Sequence, residues 1–296
     1  MTTIHTYIPA PPLSTYVDYF WLYEESAQPY EYERAYEYER ALPTGKPALR
    51  IDLGGDGVRA SIQQDMRWMK TFHTSVLFGA HSRWFILQSG CGVARIGIQF
   101  KYGGANPFFA LPAGALHNVT VSLDELWGSA ADELRERLLA EATPKARFLA
   151  LEDALLAYFV QRRALHPTIA VALRALLAAP RSQTITQVVD QSGLSHRQFI
   201  QVFRREVGVT PKLFCRLRRF LRALNHTQQI EEINWAEIAQ TCGYFDQSHL
   251  TRDFREFTGV SPTTYLRERD LRFPTSLPYT PNALYIPCAT HLKPSA

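Results

Sequence analysis

The chain has 296 residues, 46% of them hydrophobic and 20% charged, with a formal net charge of +4. That length suits two domains, and the composition excludes a disordered polymer. No apolar run reaches the roughly 18 residues of a membrane span, and the N-terminal "MTTIHTYIPAPP" carries no secretory-signal pattern.

The first hundred or so residues read as β. "ALRIDLGG" (48–55), "SVLFGA" (75–80), "WFILQSG" (84–90) and "VARIGIQF" (93–100) are short Val/Ile/Phe-rich runs bounded by Gly, Asp and Ser. The tandem hexapeptide "YEYERAYEYERA" (30–41) has the period of two expected of a strand or an extended hairpin arm. Helical signals follow Leu116. Ser122-x-x-Glu125 reads as a capping box, with Gly128 as a stop. Residues 129–142 place Leu134, Leu138 and Leu139 on one face. Thr143-Pro144 then opens an amphipathic helix through "KARFLALEDALLAYFVQRRAL" with Phe148, Leu151, Leu155 and Phe159 as its stripe. Pro interrupts the pattern at "LHPT" (165–168), which sets a domain boundary there. The last 26 residues, 271–296, hold five prolines and read as an extended tail.

Residues 166–270 read as helical throughout. Thr184-x-x-Gln187, Ser195-x-x-Gln198 and Asn234-x-x-Glu237 are capping-box starts or close to it, and Thr210-Pro211 and Ser261-Pro262 each put a cap before Pro at N1. Leu213, Phe214, Leu217, Phe220, Leu221 and Leu224 form the stripe of a longer helix between two similar units. Those units are "TITQVVDQSGLSHRQFIQVFRREVGVTP" (184–211) and "WAEIAQTCGYFDQSHLTRDFREFTGVSP" (235–262). Gly193 matches Gly243, Phe203 matches Phe254, and Pro211 matches Pro262; one residue is inserted in the second turn. Each unit has the helix-turn-helix layout, spanning 184–206 and 235–257. The fold class is therefore α+β and multidomain: a β-rich domain with trailing helices (1–165), then an all-α domain with two helix-turn-helix motifs (166–270).

The positive charge lies with the repeat. Residues 1–165 carry 16 Lys/Arg against 18 Asp/Glu, whereas residues 166–270 carry 14 against 10. That is the footprint a nucleic-acid partner requires, although mixed surface charge would look similar. At 100° per residue, Phe199, Val202, Phe203 and Glu206 share one face of the first unit's second helix. Arg197, Ile200, Gln201 and Arg204 lie opposite, with Arg205 at the edge. In the second unit Leu250, Phe254 and Phe257 face the core, and Ser248, Thr251, Arg252 and Arg255 face away. His196, Gln198, Gln247 and His249 flank these sets near the helix N-termini, where phosphates are held. Arg reads the guanine edge, Gln the adenine edge, Ser and Thr adapt, and Ile meets a thymine methyl.

"IAQTCGYFDQSHLTRDFREFTGVSPTTYL" (238–266) resembles the signature of AraC/XylS-type transcription regulators, in which I-A-x-x-x-G-[FY] precedes S-x-F/L-x-R-x-F and G-x-S/T-P. "GLSHRQFIQVFRREVGVTPKLFCRLRRFLRAL" (193–224) is similar to the family's first motif and linker helix. The resemblance implies two recognition helices in successive major grooves on one face of duplex DNA. It also implies regulation of transcription, more commonly activation, with RNA polymerase as partner. Where the family has a small Ala in the helix before each turn, Ala239 fits and Val189 departs. "PLSTYVDYFWLYE", "ERALPTGKPALRIDLG" and "GIQFKYGGANPFFALPAGAL" resemble an N-terminal domain attached to a subset of these regulators. That architecture implies a small-molecule sensor, a homodimerisation domain, or both.

The rival reading is a small-molecule-binding or enzymatic β-domain carrying a helical protein-interaction module. It finds little catalytic support. His73, His81 and His117 with Asp52 or Asp56 match no ligand spacing, "GGDG" (54–57) reads as a turn, and no nucleophile elbow occurs. Neither a metal nor a cofactor is expected. The four cysteines, Cys91, Cys215, Cys242 and Cys288, form no C-x-x-C pair, so a reduced, cytoplasmic setting fits best. Cys91 between two glycines suggests a redox sensor, a role that needs a stabilised thiolate. Trp21, Trp68 and Trp84, beside Phe85, are candidates for an apolar ligand pocket, with core packing as their alternative use.

Overall fold

The computed structural model describes residues 2–25, 37–54, 57–61, 66–89, 94–160, 165–178, 185–229 and 233–268. Thr184, Cys91, Cys288, the first part of the Tyr/Glu hexapeptides and the segment 271–296 lie outside the described residues.

Among the described residues ten strands precede the α-helices: β1 (Thr2–Tyr7), β2 (Val17–Glu25), β3 (Glu37–Ala41), β4 (Ala48–Asp52), β5 (Val58–Ser61), β6 (Lys70–Phe72), β7 (Ser75–Phe78), β8 (Phe85–Ser89), β9 (Arg95–Phe100) and β10 (Thr120–Ser122). They form an antiparallel sheet of order β1-β2-β9-β4-β7-β10 and a second of order β3-β8-β5-β6. The four expected β segments are all present, each strand shorter than its apolar run by a residue or more. Three helices follow: α1 (Asp124–Trp127), α2 (Ala130–Ala140) and α3 (Pro144–Ala157).

The strand period of two divides the large sheet into two kinds of face. Phe20, Leu22, Leu49, Ile51, Ile96 and Ile98 stand on one face and are covered by Leu134, Leu138, Phe148, Leu151 and Leu155 of α2 and α3. On the opposite face Val76 and Phe78 pack against Val58, Ala60, Phe72 and Phe85, which joins the two sheets. On that same face Trp21 is registered against Gly97.

Local signals here were partly misread from sequence. Ser122 is the buried end of β10, so no capping box forms: α1 starts at Asp124 behind Leu123, which offers no side-chain cap. Strand pairing outcompeted the cap. Leu139 is 40% exposed, outside the stripe that Leu134 and Leu138 bury. The helix at Thr143-Pro144 does begin as expected, with the Thr143 side chain accepting from the Ala146 amide, but it ends at Ala157. Phe159 packs on the core from beyond the helix end.

The remaining helices are α4 (Pro167–Ala178), α5 (Ile185–Gln191), α6 (His196–Val207), α7 (Pro211–Gln229), α8 (Trp235–Cys242), α9 (Gln247–Thr258) and α10 (Pro262–Glu268). Among the described residues no helix is long and apolar enough to cross a membrane. With 19 residues at 1.5 Å each, α7 is about 28 Å long. Its stripe serves two cores. Phe214 joins Phe199, Phe203, Val188 and Val189 from α5 and α6. Leu217, Phe220, Leu221 and Leu224 join Ile238, Ala239, Leu250, Phe254 and Phe257 from α8 and α9.

Gly97 provides a test of the sheet's packing. A β-carbon there would sit 2.4 Å from both the Leu49 carbonyl oxygen and the Trp21 ring. Gly97→Ala is expected to lower stability by about 1–3 kcal/mol through overpacking. Urea unfolding of the two proteins measures the difference.

Candidate nucleic-acid interface

The two units adopt the same frame by different capping chemistry. Ser195 caps α6: its hydroxyl accepts from the Gln198 amide, and the Gln198 carboxamide oxygen accepts from the Ser195 amide in return. Asp246 caps α9, its carboxylate accepting from the His249 amide at 2.7 Å. Asn234 caps α8 through the Ala236 and Glu237 amides. The Thr210 and Ser261 hydroxyls accept from the Leu213 and Thr264 amides, which starts α7 and α10 as the sequence suggests.

Burial then sorts the faces. On α6, Phe199, Phe203 and Val207 are buried, while His196, Arg197, Gln198, Gln201, Arg204 and Arg205 are exposed and Ile200 is half-buried. On α9, Leu250, Phe254 and Phe257 are buried, while Gln247, Ser248, Arg252 and Arg255 are exposed and His249 and Thr251 are half-buried. Most of the predicted readers are therefore exposed, and Ile200, His249 and Thr251 are half-buried. Two members have structural duties as well. Gln198 gives its carboxamide oxygen to the cap, and the His249 ring stands edge-on to Tyr244 at 5.3 Å.

Sequence reasoning missed a charged clasp behind α9. Arg216 of α7 donates through Nη2 to Asp253 Oδ1 and to Glu256 Oε2, both at 2.6 Å, with its guanidinium 5.2 Å from the Phe257 ring centroid. Asp253 is 1% exposed although it sits between two outward arginines in sequence. The spacing Asp253-x-x-Glu256 was the available signal, since i and i+3 share a helix face. Arg219 similarly donates to the Gly243 carbonyl at the end of α8.

The N-terminal domain grips the same helices. Gly208 and Gly259, the left-handed C-caps of α6 and α9, both abut it. A β-carbon on Gly208 would lie 2.6 Å from Ala80, and one on Gly259 would lie 2.7 Å from Trp84. A β-carbon on Gly114 would lie 2.9 Å from the Arg204 carbonyl oxygen. Asn106 donates to the Glu206 carbonyl at 2.9 Å, and Tyr102 meets Phe214 edge-on at 4.8 Å. The N-terminal domain thus holds the C-terminal turn of α6.

The other candidates are dispersed. Trp21 lies against Gly97 in the large sheet, Trp68 is 60% exposed, and Trp84 serves the docking just described with Arg40 over its ring. Phe85 stacks on Phe78. His73 is exposed, His81 is buried near Thr120, and Ser82 bonds His117. Burial, with His117 second, pulls His81 down to about 4 and keeps it neutral. Asp52 pairs with Arg50 at 3.1 Å. Among the described residues no group of three or more His, Cys, Asp or Glu is arranged to hold a metal. Burial pushes the Cys215 thiol up, and Cys242 is fully buried.

Residues 188–268 match a family described as a helix-turn-helix domain, and residues 5–122 match one described as a domain of unknown function, DUF6597. The helix pairs, their caps and that match decide the type. Residues 188–268 form an AraC/XylS-type helix-turn-helix domain. The chain is 30% identical over 138 residues to a protein named HTH-type transcriptional activator RhaR of Klebsiella pneumoniae, covering 46% of each chain. It is 28% identical over 82 residues to a probable transcriptional regulator, LumQ, of Photobacterium leiognathi, covering 28% of this chain and 33% of that one. The chain thus spans less than half the length of these relatives. Among solved structures, ToxT from Vibrio cholerae is similar at 10% identity and a TM-score of 0.46, over 90% of this chain and 98% of that one.

In the AraC/XylS-type domain, removing Arg216 strands a buried carboxylate. Arg216→Met is expected to cost about 3–5 kcal/mol, with Asp253→Asn in the same background recovering part of it. Denaturant midpoints of the three proteins test this; equal midpoints for Arg216→Met and wild type would refute it.

Proposed function

We propose that the chain is a sequence-specific, duplex-DNA-binding transcription regulator that acts as an activator, with RNA polymerase as its protein partner. The observation that carries the reading is the pair of helices α6 and α9, built on the shared α7 with different exposed residues on each. Phosphate contacts from the basic domain supply salt-dependent affinity, and Arg197, Gln201, Ser248 and Arg252 supply base choice. The relative named as an activator supports the direction of control. This reading has the protein work in the cytoplasm, where it would meet its duplex.

Residues 1–165 serve in this reading as the sensor and the dimerisation domain. A small-molecule effector acts there only through its differential affinity for two arrangements of the domains, and the grip on α6 and α9 is what such a difference would alter. Leu149 and Leu156, both 44% exposed and seven residues apart on α3, offer a second copy an apolar edge.

Selection of duplexes from a random pool by the full chain, followed by anisotropy titrations at several salt concentrations, tests the reading. Affinity for the selected duplex should fall steeply with salt and exceed that for a scrambled duplex. Arg252→Ala should cost about 1–3 kcal/mol and relax base preference at one position. Salt-independent binding without preference would instead favour a protein-interaction role for the helical repeat.

A further inference from the structure

The two helix-turn-helix units differ by one residue in the turn. In the first, Gly193 and Leu194 lead directly to the cap Ser195; in the second, Gly243 and Tyr244 are followed by Phe245 before the cap Asp246. Leu194 packs on the α5–α6 core and Tyr244 is buried in the α8–α9 core, so these two are equivalent. Phe245 is the inserted residue. At 93% exposure it is the most exposed large apolar side chain among the described residues.

The fold makes no use of this ring. A residue just before the helix cap often packs on the fourth helical residue, as a hydrophobic staple. Here that residue is Leu250, which is 1% exposed and already enclosed by the α8–α9 core. Tyr244 sets the chain's direction instead, pinned between His249 and the Arg219 guanidinium. Phe245 is therefore held at the N-terminal mouth of α9, next to exposed Gln247 and Ser248. In helix-turn-helix proteins the N-terminal residues of the recognition helix reach the base edges. A phenyl ring there meets one feature suited to it, the thymine 5-methyl group, which cytosine lacks.

We propose that Phe245 is a specificity-determining residue that packs against a thymine 5-methyl group at the edge of the half-site read by α9. The proposal rests on the DNA-binding reading of the domain. Because α6 has no counterpart, the thymine requirement falls on one side of the site.

The experiment uses the full chain and a duplex selected by the wild type, in which each thymine is replaced in turn by deoxyuridine. That exchange removes the methyl group alone. One replacement should weaken wild-type binding roughly three- to fivefold, the size of one buried methylene. Phe245→Ser should bind the unmodified duplex more weakly by a similar factor and be indifferent to that replacement. Phe245→Leu should keep the preference, and the salt slope should be the same for all three because no phosphate contact is lost. Thermal midpoints should coincide, since the ring is exposed. Unchanged affinity of Phe245→Ser, or persistence of the deoxyuridine effect in it, would overturn the proposal. So would lost transcriptional output with intact DNA affinity, which would place the ring against a protein. A wild type that selects no duplex would overturn the DNA-binding reading, and this proposal with it.

Discussion

The close approach of two backbone turns to the N-terminal domain governs how the molecule is assembled. Gly208 and Gly259 end the two outward helices, each in the left-handed region, at φ 92° and 79°. A side chain at either place would be strained by conformation and would also collide, with Ala80 in one case and the Trp84 ring in the other. The residue that stops each helix is thus the residue that seats it on the β domain. Helix termination and domain docking are one constraint in this chain.

That coupling bears on control. Small changes at a packed interface are amplified because such interfaces have discrete arrangements and do not deform continuously. Here the interface touches the end of α6 through Gly114 and Asn106 and the end of α9 through Trp84. In the proposed reading, a ligand or second copy that favours one seating of the β domain would act on the ends of both helices together, and no separate relay is required.

Much of the helical domain was legible in sequence because its signals are local. Caps, Pro at N1 and a 3.6-residue stripe each act within a few residues, so Ser195, Asn234 and the α7 stripe fall where the pattern puts them. Two departures share a cause. Ser122 could cap a helix, but pairing with Val76 in the sheet won; Trp84 was open to a pocket or to packing, and packing against Gly259 across the domain boundary took it. Asp253 finds its partner, Arg216, outside its own helix and 37 residues away. Long-range partners decide these positions, and no period or spacing in one segment encodes them.

The repeat itself gains a sharper reading from the two caps. Ser195 and Asp246 do the same mechanical work, yet one is neutral and the other places a carboxylate at the helix start, where phosphates would otherwise gather. That carboxylate is tied to the His249 amide, and Phe245 stands immediately before it, so the α9 mouth is less inviting to phosphate than the α6 mouth. The α6 mouth has His196 and Arg197 exposed beside its hydroxyl cap. If the domain binds a duplex as proposed, the two helices would therefore meet it differently. The first would fix register on the backbone, and the second would discriminate inside the groove. On that reading an asymmetric site follows within a single chain, before any second copy is considered.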